Sequence, residues 1–171
     1  MTTTTTTTTS TPVTYAGSLV DPDPTASAAY RLIKGNVVYD NFCMFSSTTL
    51  PFTAINGDVY VQGTGYLATV LMNSLTQIGN DLQINNNNAL SYVSFASLSS
   101  IGGLGIVKVN SGLNTLNIPN TSLTLGSPSS TVTLCTNGFY FGVAAGLSAA
   151  SHGHMCLLQS GGGACLSLSA C

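Results

Sequence analysis

The feature that most constrains the fold of this chain is a set of apolar residues that recurs every 23 positions. The recurrence runs through three successive segments, which begin at Ile55, Ile78 and Ile101. Several apolar columns keep one register through these segments: Leu67, Leu90 and Leu113; Val70, Val93 and Leu116; Met72, Phe95 and Ile118; and Leu75 with Leu98. A period of about 20 to 29 residues of this kind predicts a solenoid, in which each coil buries its apolar side against its neighbours.

Each coil contains a short run in which buried and outward positions alternate. The runs are Val37-Val38-Tyr39, Val59-Tyr60-Val61, Leu82-Gln83-Ile84 and Val107-Lys108-Val109. Alternation at period two predicts a strand with one buried face, and stacked coils would join these strands into a parallel sheet with a spacing of about 4.8 Å. Glycines precede the runs, at corners that require either a positive φ or close approach of two backbones. They are Gly35, Gly57, Gly79, Gly102 and Gly103.

The repeat extends beyond its regular middle and sets the domain organisation. One more coil can be traced upstream through Ile33, Val37, Tyr39, Met44 and Phe52, and an irregular one downstream through Leu123, Leu125, Val132 and Leu134. We therefore predict an all-β fold, a parallel β-solenoid of four to five coils over residues 25–135. Residues 25–32 would cover its open end as one or two helical turns. Residues 1–24 are expected to form a disordered Thr/Pro-rich arm, and residues 136–171 a Gly-, Ala-, Ser- and Cys-rich cap or tail.

Charge is scarce throughout the chain. Charged residues make up 5% of the sequence, against about 25% in an ordinary soluble domain. The cations are Arg31, Lys34 and Lys108, and the net charge is −2. This composition offers no electrostatic footprint for nucleic acid or for an anionic membrane surface. The apolar run over residues 139–150 is shorter than the roughly 20 residues that cross a bilayer as a helix, so we expect no transmembrane helix.

The cysteines and the polar composition bear on the compartment. The five cysteines, Cys43, Cys135, Cys156, Cys165 and Cys171, include no CxxC pair and predict neither a zinc site nor a redox motif. A surface rich in Ser, Thr and Asn suits an exported protein, in which cysteines form disulfides. The amino terminus as given lacks the basic and apolar regions of a signal peptide. Either the natural start differs, or export uses another route, or the protein stays inside; we expect an extracellular or cell-surface location.

The motifs of the repeat resemble a known family. The shared features are the strand opener I-x-G-[DN]-hydrophobic-x-hydrophobic, the turns Asn87-x-x-Leu90 and Asn110-x-x-Leu113, and a closing L-x-x-I, over roughly residues 33–135. They resemble the receptor L-domain family, the leucine-rich-repeat relatives found in insulin- and EGF-receptor ectodomains and in fungal cell-wall proteins of the sporulation-specific type. The resemblance implies a right-handed, leucine-rich-repeat-like solenoid without catalytic residues, used at cell surfaces for ligand binding or wall organisation.

The family pattern also bears on one disulfide. Leu134-Cys135 resembles the cysteine that often ends such a domain, whereas the usual cysteine ahead of the first strand is missing. The resemblance therefore leaves Cys43 as a possible substitute partner for Cys135.

Asp58 and Asp81 are the first candidates for chemistry, because they lie one period apart and should stack on successive coils. Paired carboxylates are what a carbohydrate-active β-helix enzyme would use. Their corner positions favour a structural role, in which Asp and Asn bond their own backbone and hold the turn. We assign Asn87 and Asn110 to turns as well, where the run Asn85 to Asn88 and Asn110 would form a short asparagine ladder.

His152, His154 and Cys156 have ligand types at metal-compatible spacing. In a Gly-rich tail such residues more often have no role, so we predict no metal site and no cofactor.

The outward strand face is the remaining candidate. We place Val38, Tyr60, Gln83 and Lys108 on it, and these residues form no Thr-x-Thr ladder of the kind that binds ice. An aromatic residue on such a face suits sugar stacking or protein contact. The sequence thus favours a non-enzymatic, surface-exposed module that binds a protein or a polysaccharide. The alternatives are an enzyme that uses Asp58 and Asp81, and a self-associating or ice-binding structural protein.

Overall fold

The structure of the chain is a computed structural model, which describes residues 12–108, 110–113 and 115–118 and the later strands named below. For Lys108 and for these later strands, the structure describes the backbone alone. All regular structure in the described residues is β, without a helix. The strands form three sheets, and each coil within residues 30–143 contributes one strand to each sheet in turn.

Each strand belongs to one of the three sheets. Sheet 1 contains β1 (Val13–Tyr15), β3 (Tyr30–Ile33), β6 (Ala54–Ile55), β9 (Gln77–Ile78), β12 (Ser100–Ile101) and β15 (Thr124–Leu125). Sheet 2 contains β2 (Leu19–Val20), β4 (Val37–Tyr39), β7 (Val59–Gln62), β10 (Leu82–Asn85), β13 (Gly105–Lys108), β16 (Val132–Thr136), β18 (Met155–Gln159) and β19 (Leu166–Ser167). Sheet 3 contains β5 (Ser47–Thr49), β8 (Thr69–Leu71), β11 (Tyr92–Ser94), β14 (Thr115–Asn117) and β17 (Gly142–Val143).

Neighbouring strands pair in parallel and match equivalent positions of successive coils. Ile55 pairs with Ile78, and Ile78 with Ile101, in sheet 1. Register partners in the regular coils are 23 residues apart, as in Val59 with Leu82 and Val70 with Val93. The pairing of β18 with β19 is antiparallel. The predicted parallel β-solenoid and its period are therefore confirmed.

The core is a stack of apolar layers inside the three sheets. The repeating columns of the sequence point inward, and their members are almost fully buried, with Leu67, Val70, Met72 and Leu75 at 0% exposure in one coil. Burial of an aliphatic side chain of this size contributes about 1.5 to 3 kcal/mol. Each coil buries its inner side only when another coil lies on it, so the fold requires several coils.

Corner glycines allow the coils to approach closely. A Cβ atom on Gly79 would collide with the carbonyl of Asn56, and one on Gly102 with the carbonyl of Gly79. Of the two explanations the sequence allowed, close approach applies at these corners. A positive φ occurs at another corner, after the strands of sheet 2, where Gly63 has a φ of 69° and Asn86, one period later, a φ of 57°.

The amino-terminal end differs from the expected arm and helical cap. β1 pairs with β3 and β2 with β4, so residues 12–24 already belong to the solenoid. Their apolar residues are few, but an existing strand edge supplies the hydrogen bonds that an isolated arm lacks. The helical turns predicted over residues 25–32 are replaced by a turn and β3. In that turn the Asp23 carboxylate accepts hydrogen bonds from the backbone N–H groups of Thr25 and Ala26. Residues 1–11 lie outside the described part of the chain.

The first complete coil also corrects one predicted core residue. Met44 is 76% exposed, whereas Cys43 is buried and carries a free thiol. The 22-residue interval between this coil and the next aligns Phe45, and not Met44, with Leu67, and Phe45 packs against the core. Cys43 forms no disulfide in the described residues, and the side chain of Cys135 lies outside them.

At the carboxyl-terminal end the strands continue past Ile118. β15, β16 and β17 add one strand to each sheet, which confirms the predicted coil around Leu125, Val132 and Leu134. β18 extends sheet 2 beyond residue 135, the predicted end of the repeat. The described residues do not include Leu123, His152, His154, Cys165 and Cys171. Of Cys156, the structure describes the backbone alone.

Candidate functional site

The candidate site is the outward side of sheet 2, which we call the sheet-2 face. Its central column contains Val38, Tyr60, Gln83 and Ile106, which pair in register on β4, β7, β10 and β13. All four are partly exposed. Lys108, which was predicted for this face, lies two residues further along β13 and pairs with Asn85, so the residue in register with Gln83 is Ile106. Alignment at the fixed 23-residue interval from Gln83 would have given Ile106.

A second column borders the first, at the entry to the strands of sheet 2. The Asn36 Oδ1 accepts a hydrogen bond from the Asp58 N–H at 2.9 Å, and the Asp58 Oδ1 accepts one from the Asp81 N–H at 3.0 Å. The Asp81 Oδ1 accepts one from the Leu104 N–H at 2.8 Å. We call this column the carboxamide–carboxylate ladder. Each of its side chains fixes the corner of the following coil.

This ladder refines the structural role predicted for Asp58 and Asp81. Both do hold a corner, but the corner belongs to the next coil and not to their own backbone. The difference arises because parallel stacking brings the next N–H group within reach of the side-chain oxygen. Ser18 begins the same ladder, since its Oγ accepts a hydrogen bond from the Asn36 N–H at 2.9 Å.

The two columns are linked by side-chain contacts across the face. The Gln83 Nε2 donates to the Asp81 Oδ2 at 3.3 Å. Burial raises the pKa of the Tyr60 hydroxyl, and the carboxylates of Asp58 and Asp81 and a hydrogen bond with Asp58 raise it further. Tyr60 therefore stays a neutral hydrogen-bonding group next to two carboxylates.

The far side of the face is polar as well. Gln62, Asn85 and the backbone of Lys108 form a third column in register. Further toward the amino-terminal end, the Asp40 N–H donates to the Asp21 carboxylate at 3.2 Å. Burial raises the pKa of Asp21, and the Asp40 carboxylate raises it further.

Charges are unevenly distributed around the solenoid. All five acidic residues are aspartates, and four of them flank strands of sheet 2: Asp21, Asp40, Asp58 and Asp81. Two of the three cations belong to sheet 1. Arg31 lies on β3 and donates to the carbonyls of Ala28 and Tyr30, and Lys34 follows the same strand. The amino-terminal half of the sheet-2 face is therefore its acidic part.

The predicted asparagine ladder forms inside the solenoid and not on this face. Asn87 and Asn110 are fully buried, and the Asn87 Nδ2 donates to the Asn110 Oδ1 at 2.8 Å. The Asn87 Oδ1 accepts from the Thr64 N–H at 3.0 Å and from the Thr64 hydroxyl at 2.9 Å. The ladder is confirmed for Asn87 and Asn110, as turn residues of the core.

The outward side of sheet 3 has its own pattern of hydroxyl groups. Ser47 and Thr49 are exposed on β5, and Thr69 follows Ser47 in register on β8. Leu71 takes the position after Thr49, and Tyr92 the position after Thr69. Strands β5, β8, β11 and β14 of this face thus present no Thr-x-Thr pair at their outward positions.

Two further searches concern metals and membranes. In residues 12–108, 110–113 and 115–118 no three His, Cys, Asp or Glu side chains come together in a way that would hold a metal ion. The described residues also contain no helix with the length and apolar character that a bilayer crossing requires.

Together the three sheets and the stacked side-chain ladders define the chain as a three-sided parallel β-solenoid protein. No protein-family model, no curated protein and no solved structure matches it. The resemblance to receptor L-domains stays a prediction from the sequence motifs.

Proposed function

We propose that the protein is a non-enzymatic, surface-exposed binding module that recognises a glycan through the sheet-2 face. The observation that carries the proposal is the position of Tyr60 between Val38 and Gln83 in the central column, with Asp58 and Gln62 on its own coil at either side. The proposal keeps the cell-surface location that the sequence favours.

The chemistry of this face suits a sugar. The ring of a tyrosine offers an apolar surface with a polar tip, against which the C–H face of a pyranose can pack. Amide and carboxylate groups around the ring can exchange hydrogen bonds with sugar hydroxyls. Because the coils repeat about every 4.8 Å, neighbouring coils present similar groups to successive units of a polymer.

Binding of the complete chain to immobilised oligosaccharides tests the proposal. Tyr60→Ala should lower the affinity of the best ligand at least about tenfold, since removal of a stacking aromatic anchor costs more than about 1 kcal/mol. Tyr92→Ala is the matched control, because Tyr92 is partly exposed on sheet 3. Equal binding by the two variants, or a protein ligand bound in place of any glycan, would overturn the proposal.

A second candidate is a carbohydrate-active enzyme that uses Asp58 and Asp81. It is favoured by their position on successive coils, because the strand spacing of about 4.8 Å is close to the carboxyl separation of about 5 to 5.5 Å in retaining glycosidases. Release of shorter products from the bound oligosaccharide, abolished by Asp58→Asn in a folded variant, would establish this function and overturn the non-enzymatic one.

A further inference from the structure

The carboxamide–carboxylate ladder shows that its structural task does not require charge. Asn36 accepts the N–H of the next coil at 2.9 Å with a neutral amide oxygen, and Asp58 and Asp81 do the same at 3.0 and 2.8 Å. An asparagine at positions 58 and 81 would supply the same acceptor atom. The negative charges of these two residues are therefore additional to the fold.

These charges are unfavourable for the isolated protein. The two aspartates lie on neighbouring coils, about 4.8 Å apart along the stack, where like charges repel each other. Of the described cations, Arg31 is bonded to carbonyls at sheet 1 and Lys34 lies beyond the end of the same strand, while Lys108 lies on sheet 2 at the far end of β13, in the third column and not beside the ladder. A positively charged ligand on the sheet-2 face would relieve the repulsion.

From this charge complementarity we propose that the ligand of the sheet-2 face is a polymer of amino sugars with free, protonated amino groups. The ammonium groups lie against Asp58 and Asp81, while a sugar ring packs on Tyr60. This inference rests on the proposed glycan-binding function. It adds the class of the sugar, because a cationic sugar offsets the charge of the two adjacent carboxylates, whereas a neutral glycan only donates hydrogen bonds to them.

A repeating polymer fits this face better than a single cation. The aspartates recur at the same place on successive coils, and Tyr60 and Gln83 recur beside them in the same register. The Gln83 Nε2 already donates to the outer oxygen of Asp81 at 3.3 Å, so this oxygen faces the same side as the central column. Two successive coils of the face thus each pair a carboxylate with a ring or an amide, Asp58 with Tyr60 and Asp81 with Gln83.

Calorimetric titration of the complete chain with matched oligosaccharides tests the inference. The probes are a β-1,4-linked glucosamine oligomer, its fully N-acetylated form and a glucose oligomer of equal length. We expect the glucosamine oligomer to bind most tightly and its affinity to fall with added salt. Asp58→Asn and Asp81→Asn should each weaken it about threefold, and the double variant about tenfold, since a partly exposed ion pair contributes about 0.2 to 1 kcal/mol.

Asp23→Asn is the matched control for these variants. It changes the net charge by the same amount and retains the oxygen that accepts from Thr25 and Ala26 in the turn. Its affinity for the glucosamine oligomer should equal that of the unmodified chain. Unchanged thermal unfolding of Asp58→Asn and Asp81→Asn would show that the ladder is intact.

The outcomes separate the two proposals. Equal binding of the acetylated oligomer, insensitive to Asp58→Asn, overturns the amino-sugar inference and leaves glycan binding in place. Binding of none of the three oligomers, or Asp58-dependent binding of a lysine-rich peptide alone, overturns the amino-sugar inference together with the glycan function.

Discussion

The buried asparagine ladder gives the sharpest test of how the coils are held together. Replacement of Asn87 by alanine removes two hydrogen bonds to Thr64, one to the Val61 carbonyl at 2.8 Å and one to Asn110. Thr64, Asn87 and Asn110 are buried, so water cannot replace these bonds without entering the core.

The expected loss follows from the groups left without a partner. A buried donor or acceptor without a hydrogen bond costs about 1 to 3 kcal/mol, and Asn87→Ala leaves the Thr64 N–H without its acceptor and the Val61 carbonyl without this donor. We therefore expect the free energy of unfolding to fall by about 3 to 5 kcal/mol. Since domains are stable by about 5 to 15 kcal/mol in total, this loss should be a large part of the stability of the protein.

Urea denaturation followed by circular dichroism measures this loss. Asn88→Ala is the control, because Asn88 is exposed and makes one long contact, accepting from the Ser111 hydroxyl at 3.4 Å. Its free energy of unfolding should stay within about 0.5 kcal/mol of the unmodified chain. A loss below about 1 kcal/mol in Asn87→Ala, at an unchanged m-value, would refute the reasoning.

Three further predictions concern other parts of the fold. Gly102→Ala should lower the free energy of unfolding by about 2 to 3 kcal/mol, because the added Cβ has no room against the preceding coil. In the control Gly65→Ala, the added Cβ meets nothing within 4 Å, and the free energy of unfolding should change by less than about 0.5 kcal/mol. Equal losses of the two variants in urea denaturation would contradict this prediction. Asn86→Val should lower the free energy of unfolding by about 1 to 2 kcal/mol, because Asn86 has a φ of 57°. Asn86→Gly should lower it much less, and thermal unfolding of the two variants measures the difference. Burial raises the pKa of Tyr39, whose hydroxyl lies 2.7 Å from the Thr48 Oγ1. The neutral phenol therefore contributes stability that is complete below the ordinary tyrosine pKa of about 10 and is lost as the pH rises through the higher pKa of the folded state. In alkaline denaturation, Tyr39→Phe should lose less stability above pH 10 than the unmodified chain. Identical denaturation curves would argue against this prediction.

Much of the architecture could be read from the repeat, because apolar columns depend only on sequence interval. The same rule failed where the interval changes, as at Met44, because the 22-residue interval aligns Phe45 with Leu67 and Met44 is exposed. On the outward face, the register places Ile106 beside Gln83 and Lys108 beside Asn85. The contribution of Asn36 to the site was missed, although its place one coil before Asp58 is visible in the spacing.

The ends of the solenoid could not be predicted in the same way. Residues 12–24 carry little periodic signal, and their strands form because β3 and β4 present open edges to them. An edge is a property of the assembled stack and has no counterpart in local composition. The same reason explains why the carboxyl-terminal strands continue sheet 2 past residue 135.

The sequence by itself determined the period, the inward columns and therefore a parallel β-solenoid, since burial requires apolar residues to recur at the interval of the coil. Only the tertiary structure decided which polar side chains meet. It placed Asn87 and Asn110 in the core and directed the oxygens of Asp58 and Asp81 to the backbone of the following coil. Hydrogen bonds between coils join residues that are distant in the chain, and their geometry is fixed by the stacking of backbones.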